Sequence, residues 1–145
     1  MNVLAPVSTI MTTDIISVAE RDRLSRVREI FESNKIHHIP VTRSNKVVGI
    51  ISREDYLLFM KGLGVNTMEK IINETRLNNY NAEHIMTRGV GKLEPHDRIN
   101  VALDIFSKNL FRALPVVEND KLVGMITTYD IIKAINEETP MVNQY

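Results

Sequence analysis

The chain of 145 residues contains one sequence twice: residues 10–57 align with residues 85–132 at a constant offset of 75, without a gap. Identical pairs include Ile10/Ile85, Met11/Met86, Thr12/Thr87, Asp22/Asp97, Pro40/Pro115, Gly49/Gly124 and Asp55/Asp130. Ten of the other aligned positions exchange one apolar side chain for another, among them Leu24/Ile99, Ile39/Leu114 and Ile50/Met125. A repeat of this size is too short to bury a good core alone, so the two copies are expected to pack against each other. Two like units packed face to face create two symmetry-related clefts, and function is to be sought there.

Each copy reads in the same order. Asp22 and Asp97 are expected N-caps ahead of helically spaced apolar positions: Leu24, Val27, Ile30 and Phe31, then Ile99, Ala102, Leu103, Ile105 and Phe106. Asn34 and Asn109 tolerate a left-handed turn and are expected to end these helices. Short strands follow at 38–42 and 113–117, where Pro40 and Pro115 belong at an edge or beside a gap in pairing. After a polar turn come VVGII (47–51) and LVGMI (122–126), read as strands. Second helices run through Tyr56–Met60 and Ile131–Asn136.

The domain reading is repeat one at 8–60, a linker at 61–84 and repeat two at 85–137. The linker holds Gly62, Gly64 and a helix candidate over Thr67–Leu77. Residues 1–7 and 138–145 are expected to be loose ends, with Tyr80 and Tyr145 as surface aromatics. The fold class is α/β, with β-α-β-β-α in each copy.

Composition narrows the function. Eighteen basic residues balance eighteen acidic ones, which argues against a sequence-independent grip on nucleic acid or anionic lipid. The chain has no cysteine, so disulfides, thiol nucleophiles and thiolate metal sites are excluded. No apolar run approaches the ~20 residues that span a bilayer, and the N-terminus lacks a basic secretory start. A cytoplasmic protein is expected. Adjacent strand residues His37 and His38 point to opposite faces and cannot readily chelate one ion, so no metal is expected. No catalytic triad order or Gly-rich phosphate loop stands out, so an enzyme is not expected.

The motif Gly-apolar-apolar-Ser/Thr-x-x-Asp stands twice, as Gly49-Ile50-Ile51-Ser52-Arg53-Glu54-Asp55 and Gly124-Met125-Ile126-Thr127-Thr128-Tyr129-Asp130. With Pro40-Val41, Pro115-Val116 and the opening Ile-Met-Thr of each copy, the chain resembles a tandem pair of CBS domains, a Bateman module, over roughly residues 8–137. The resemblance implies two repeats packed with pseudo-twofold symmetry. It also implies regulatory binding of adenosine-containing ligands: AMP, ADP, ATP or S-adenosylmethionine. One site would take Ile50, Ser52, Asp55, His37 and His38 with Asp97, Ala102 and Phe111. The other would take Met125, Thr127, Asp130 and Arg112 with Asp22, Val27 and Ile36. Phe111 or Ile36 would flank the adenine.

Ser52/Asp55 and Thr127/Asp130 also match capping boxes, which alone account for both residues. The functional reading adds that a carboxylate beside a helix N-terminus accepts bonds from both hydroxyls of a ribose, while the helix end attracts phosphate. Gly49 and Gly124 either admit a ligand or neighbouring backbone, or mark a β-bulge. Arg112 suits a phosphate, whereas Glu54 beside His37 would repel one and Tyr129 would not. The second site is therefore expected to take the more phosphorylated ligand, or the only one. The alternative is an interaction scaffold with vestigial clefts, pairing as a homodimer through Leu57, Leu58, Met60, Ile131, Ile132 and Ile135, residues that could equally be core. The regulated target protein is not identified by the sequence.

Overall fold

The computed structural model describes residues 1–60 and 67–138. Gly62, Gly64 and Tyr145 lie outside the described residues. The elements run β1 (Val18–Ala19), α1 (Leu24–Ser33), β2 (His38–Arg43), β3 (Lys46–Ser52), α2 (Arg53–Met60), α3 (Thr67–Asn79), α4 (Ala82–Ile85), α5 (Ile99–Ser107), β4 (Ala113–Glu118), β5 (Lys121–Thr127) and α6 (Thr128–Glu138), after a 3-10 turn at Val7–Thr9. The order β-α-β-β-α holds in the first copy. In the second, the opening strand shrinks to a single parallel bridge, Leu93 to Val116, at the position where β1 pairs Val18 with Val41.

The chain forms two compact units, Ile16–Val90 and Met1–Ile15 together with the chain from Gly91. The openings of the repeats are thus exchanged: Ile10-Met11-Thr12 belongs with the second copy, and Ile85-Met86-Thr87 with the first.

In the first unit, β1 runs parallel to β2, and β2 antiparallel to β3. The β2–β3 hairpin turns through Ser44 and Asn45, both at positive φ (49° and 66°), the twist that a two-residue hairpin needs. Pro40 lies opposite Ile50. Ile50 turns its own N–H and C=O to Thr87, at 3.0 and 2.8 Å, so no ladder donor is missed at the proline. The core gathers Val18, Leu24, Val27, Ile30, Phe31, Ile39, Val41, Ile51, Tyr56, Leu77, Ala82 and Met86. Phe31 packs on Tyr56 with ring centroids 5.6 Å apart. The expected linker helix exists as α3, tied to α1 by Arg28–Glu74 at 2.7 Å. Tyr80 is partly exposed but lies edge-on to Phe59 and His84.

In the second unit, β4 and β5 repeat the hairpin, with Asn119 and Asp120 at positive φ. Pro115 faces Met125, whose N–H and C=O are taken by Thr12 at 2.9 and 2.8 Å. The core is Val7, Leu93, Ile99, Ala102, Leu114, Val116, Ile126 and Ile131.

Three expectations need correction. Asp22 and Asp97 do not cap α1 and α5; the N-cap residues are Arg23 and Arg98, with no side-chain bond. The first helical N–H groups, on Leu24 and Ile99, donate instead to the main-chain oxygens of Tyr80 and Ala5, each at 2.9 Å. The exchanged segments thereby satisfy donors that a side-chain cap would otherwise take. The two aspartates close the preceding turns, Asp22 accepting from Ala19 N and Asp97 from Glu94 N.

The N-terminal residues are not loose. Ala5 O and Val3 O accept from Ile99 and Asn100, Val7 N donates to Asp97 O, and the Met1 ammonium meets Glu138 at 2.6 Å. Finally, Asn109 takes the left-handed turn (φ 54°), but Asn34 is extended, and its side-chain amide reaches back to Ile30 O at 2.9 Å.

Candidate functional site

The repeated signature builds the same cup in each unit, where a strand runs directly into a helix. In the first, Ser52 ends β3 and Asp55 sits in the first turn of α2. Asp55 N donates to Ser52 Oγ at 3.0 Å, and Ser52 N donates to Asp55 Oδ2 at 3.2 Å. In the second, Asp130 N donates to Thr127 Oγ1 at 3.2 Å, and Thr127 N donates to Asp130 Oδ2 at 2.7 Å. Both are capping boxes, formed reciprocally as the spacing requires. All four residues are half-buried.

The cups differ in what else the carboxylate accepts. Asp130 Oδ2 also accepts from Thr127 Oγ1 at 2.7 Å, and its Oδ1 accepts from Thr12 Oγ1 at 2.9 Å. Among the described residues, Asp55 Oδ1 accepts no bond.

The glycines of the signature are spoken for. A Cβ on Gly49 would lie 2.7 Å from Met86 Sδ and 2.9 Å from Thr87 O; one on Gly124 would lie 2.6 Å from Met11 Sδ. The exchanged openings, not a ligand, approach the backbone there. The register also slips beside each glycine, leaving Val48 and Val123 as bulge residues, so both readings of the glycines hold together.

Around the first cup, His37 is exposed and His38 half-buried. His37 O accepts the first N–H of α2, from Arg53, at 2.8 Å; Arg112 O accepts from Thr128 N, the first of α6, at 3.1 Å. Each expected phosphate contact therefore has its backbone fixed at a helix start, and Arg112 keeps its side chain exposed. Glu54 and Tyr129 are both exposed.

Ile50 and Met125 are buried, with both backbone polar groups engaged. Ile36, Phe111, Asp22 and Asp97 are half-buried. Val27 and Ala102, expected to line ligand, are fully buried in their own unit's core. They lie on the inward face of α1 and α5, one turn on from Leu24 and Ile99, and their side chains are sealed from solvent.

Sequence reasoning missed Arg53. Its guanidinium donates to Phe31 O, Asn34 O and Ile36 O at 2.8, 3.3 and 3.1 Å, and its Cζ stands 5.2 Å from the Phe31 ring centre. It closes the open carbonyl end of α1. The signal available was its place: the residue after the strand, next to a helix whose terminal asparagine lacks a following glycine. Thr12 was read only as part of the opening motif.

A sequence model of the CBS domain matches residues 7–62 and again 82–137. The chain belongs to the CBS-domain family. It is similar to the uncharacterized protein MJ1225 of Methanocaldococcus jannaschii, at 29% identity over 124 residues, covering 85% of this chain and 44% of that protein. The crystal structure of MJ1225 superposes with a TM-score of 0.77 at 25% identity, over 93% of this chain and 49% of that one. CBSX2, solved in complex with AMP, gives a TM-score of 0.73 at 24% identity, over 92% and 97% of the two chains. The CBS domain pair of protein MJ0100, solved with 5′-methylthioadenosine and S-adenosyl-L-methionine, gives 0.72 at 22%, over 94% and 99%. The chain spans less than half the length of the first curated relatives it matches, between 22% and 44%.

No described helix is long and apolar enough to cross a membrane. Among the described residues, no group of three or more His, Asp or Glu side chains is placed to hold a metal ion.

Proposed function

We propose that this CBS pair is a regulatory module that binds adenosine-containing ligands, with Asp55 and Asp130 accepting ribose hydroxyls. The observation that carries the reading is the cup itself, built twice. A capping box anchors one carboxylate oxygen, while the side chain stays half-exposed beside a helix N-terminus. His37 and Arg112 are the proposed phosphate contacts, and Ile36, Phe111, Asp22, Asp97 and His38 remain proposed ligand neighbours. Val27 and Ala102 are left out because they are core. Family relatives solved with AMP, and with S-adenosylmethionine and methylthioadenosine, support this ligand class.

The test is titration calorimetry with AMP, ADP, ATP and S-adenosylmethionine. Asp55→Ala and Asp130→Ala should each weaken binding at its own cup by about 1.5–3 kcal/mol, the worth of a charge-assisted hydrogen bond. No heat and no thermal shift with any of the four would remove the reading. Mass spectrometry of whatever heating releases from the purified protein would name a retained ligand directly.

A second reading rests on the second helices. Leu57 and Leu58 of α2 are 56% and 69% exposed, and Ile132 of α6 is 63% exposed, which suits self-association as a homodimer. Light scattering that gives a monomer up to millimolar concentration would exclude it.

A further inference from the structure

The two cups hold the same aspartate but leave it with different capacity. A carboxylate offers about four acceptor positions over its two oxygens. Asp130 has three filled: two on Oδ2 from Thr127 and one on Oδ1 from Thr12. Asp55 has one filled, by Ser52 N at 3.2 Å, and its Oδ1 accepts no bond among the described residues.

Thr12 is not there by chance of a rotamer. Its main chain is clamped to Met125 by two bonds at 2.8 and 2.9 Å, which delivers its hydroxyl to the strand end where Asp130 begins its helix. Thr87 is clamped to Ile50 in the same way, yet among the described residues its hydroxyl makes no bond to Asp55.

We propose that Thr12 is a specificity-determining residue of the Asp130 cup, a built-in hydroxyl that occupies the acceptor a ribose diol needs. Asp55 can take both hydroxyls of a ribose as it stands. Asp130 can take one, or must release Thr12 to take two. The inference rests on the nucleotide reading above. It also separates two preferences: Arg112 and Tyr129 favour phosphate in the second copy, while acceptor capacity favours the ribose diol in the first.

The test isolates the Asp130 cup with Asp55→Ala and titrates AMP and 2′-deoxy-AMP by calorimetry, with Thr12 intact, as Thr12→Ser and as Thr12→Val. Thr12→Val should tighten AMP at least threefold and leave 2′-deoxy-AMP nearly unchanged, while Thr12→Ser, which keeps the hydroxyl, should match the parent. If Asp55→Ala abolishes binding, Thr12→Val should restore it. AMP binding that Thr12→Val leaves unchanged or weakens overturns the role assigned to Thr12 while the nucleotide reading stands. If neither the wild-type chain nor any variant binds AMP or another adenosine ligand, the nucleotide reading falls and this inference falls with it. Unchanged melting of the Thr12 variants serves as the folding control.

Discussion

The two units share one plan but are held together differently. The first leans on charged side chains. Arg53 closes α1, Arg28 ties α1 to α3, and Arg43 grips Glu20 through two bonds. The second has Thr128, Leu103 and Glu118 at the matching positions, with Pro95 where Glu20 stands. It closes α5 through the left-handed turn at Asn109 and the Ser107 hydroxyl, which donates to Asp104 O at 2.7 Å. The first core also buries Ile30 and Phe31 fully, while Ile105 and Phe106 are only partly buried. Repetition of sequence thus preserves the frame, while each copy solves the problem of its helix ends separately.

Truncating the aromatic pair should separate the units most. Phe31→Ala is expected to cost about 3–5 kcal/mol, the range for a deleted core aromatic, and Phe106→Ala less than half as much, read by urea denaturation. Equal losses would mean that the cores do not differ as described.

Next comes the helix closure. Arg53→Ala removes three carbonyl bonds and should cost about 1.5–3 kcal/mol, whereas Thr128→Ala should stay within about 0.5 kcal/mol. A silent Arg53→Ala would show that water serves those carbonyls as well.

The glycines sharpen the contrast. A methyl on Gly49 meets a backbone oxygen, Thr87 O, at 2.9 Å besides Met86; the three atoms nearest one on Gly124 all belong to the flexible Met11 side chain. Gly49→Ala should therefore cost about 1–3 kcal/mol as an overpacking change, and Gly124→Ala should cost less in the same thermal melt.

The smallest effect is expected in acid. The Arg43 guanidinium holds the Glu20 carboxyl below its ordinary range, more by direct hydrogen bonding than by charge alone. A carboxylate with a lowered folded-state pKa stabilises fully above its ordinary value and loses that contribution as pH falls through the lowered one. Arg43→Gln should flatten this acid limb. High salt should shrink the difference, because the guanidinium is exposed.

How much of this was legible in the sequence follows from which interactions are local. Both hairpins, both capping boxes and the α3 helix were readable because each depends on residues within a few positions of one another. Asp22 and Asp97 were misread because the competing acceptors, Tyr80 O and Ala5 O, arrive from far along the chain. Asn34 and Asn109 are the same residue in the same register, but among the described residues an arginine, Arg53, is bonded to the carbonyls only at the helix end beside Asn34. Val27 and Ala102 are a different case: their helical phase, readable from Leu24 and Ile99, places them inward, while the family resemblance assigns them to the ligand. The two capping-box cups were therefore legible, but not how many acceptors each carboxylate has left.

The exchanged openings have a consequence for synthesis. Once residue 90 has left the ribosome, the first unit has every strand and helix it needs and can close. The first fifteen residues cannot: their partners, Ile99, Met125 and Asp130, have yet to emerge. Residues 1–15 must wait for those partners, and the contacts of greatest sequence separation form last.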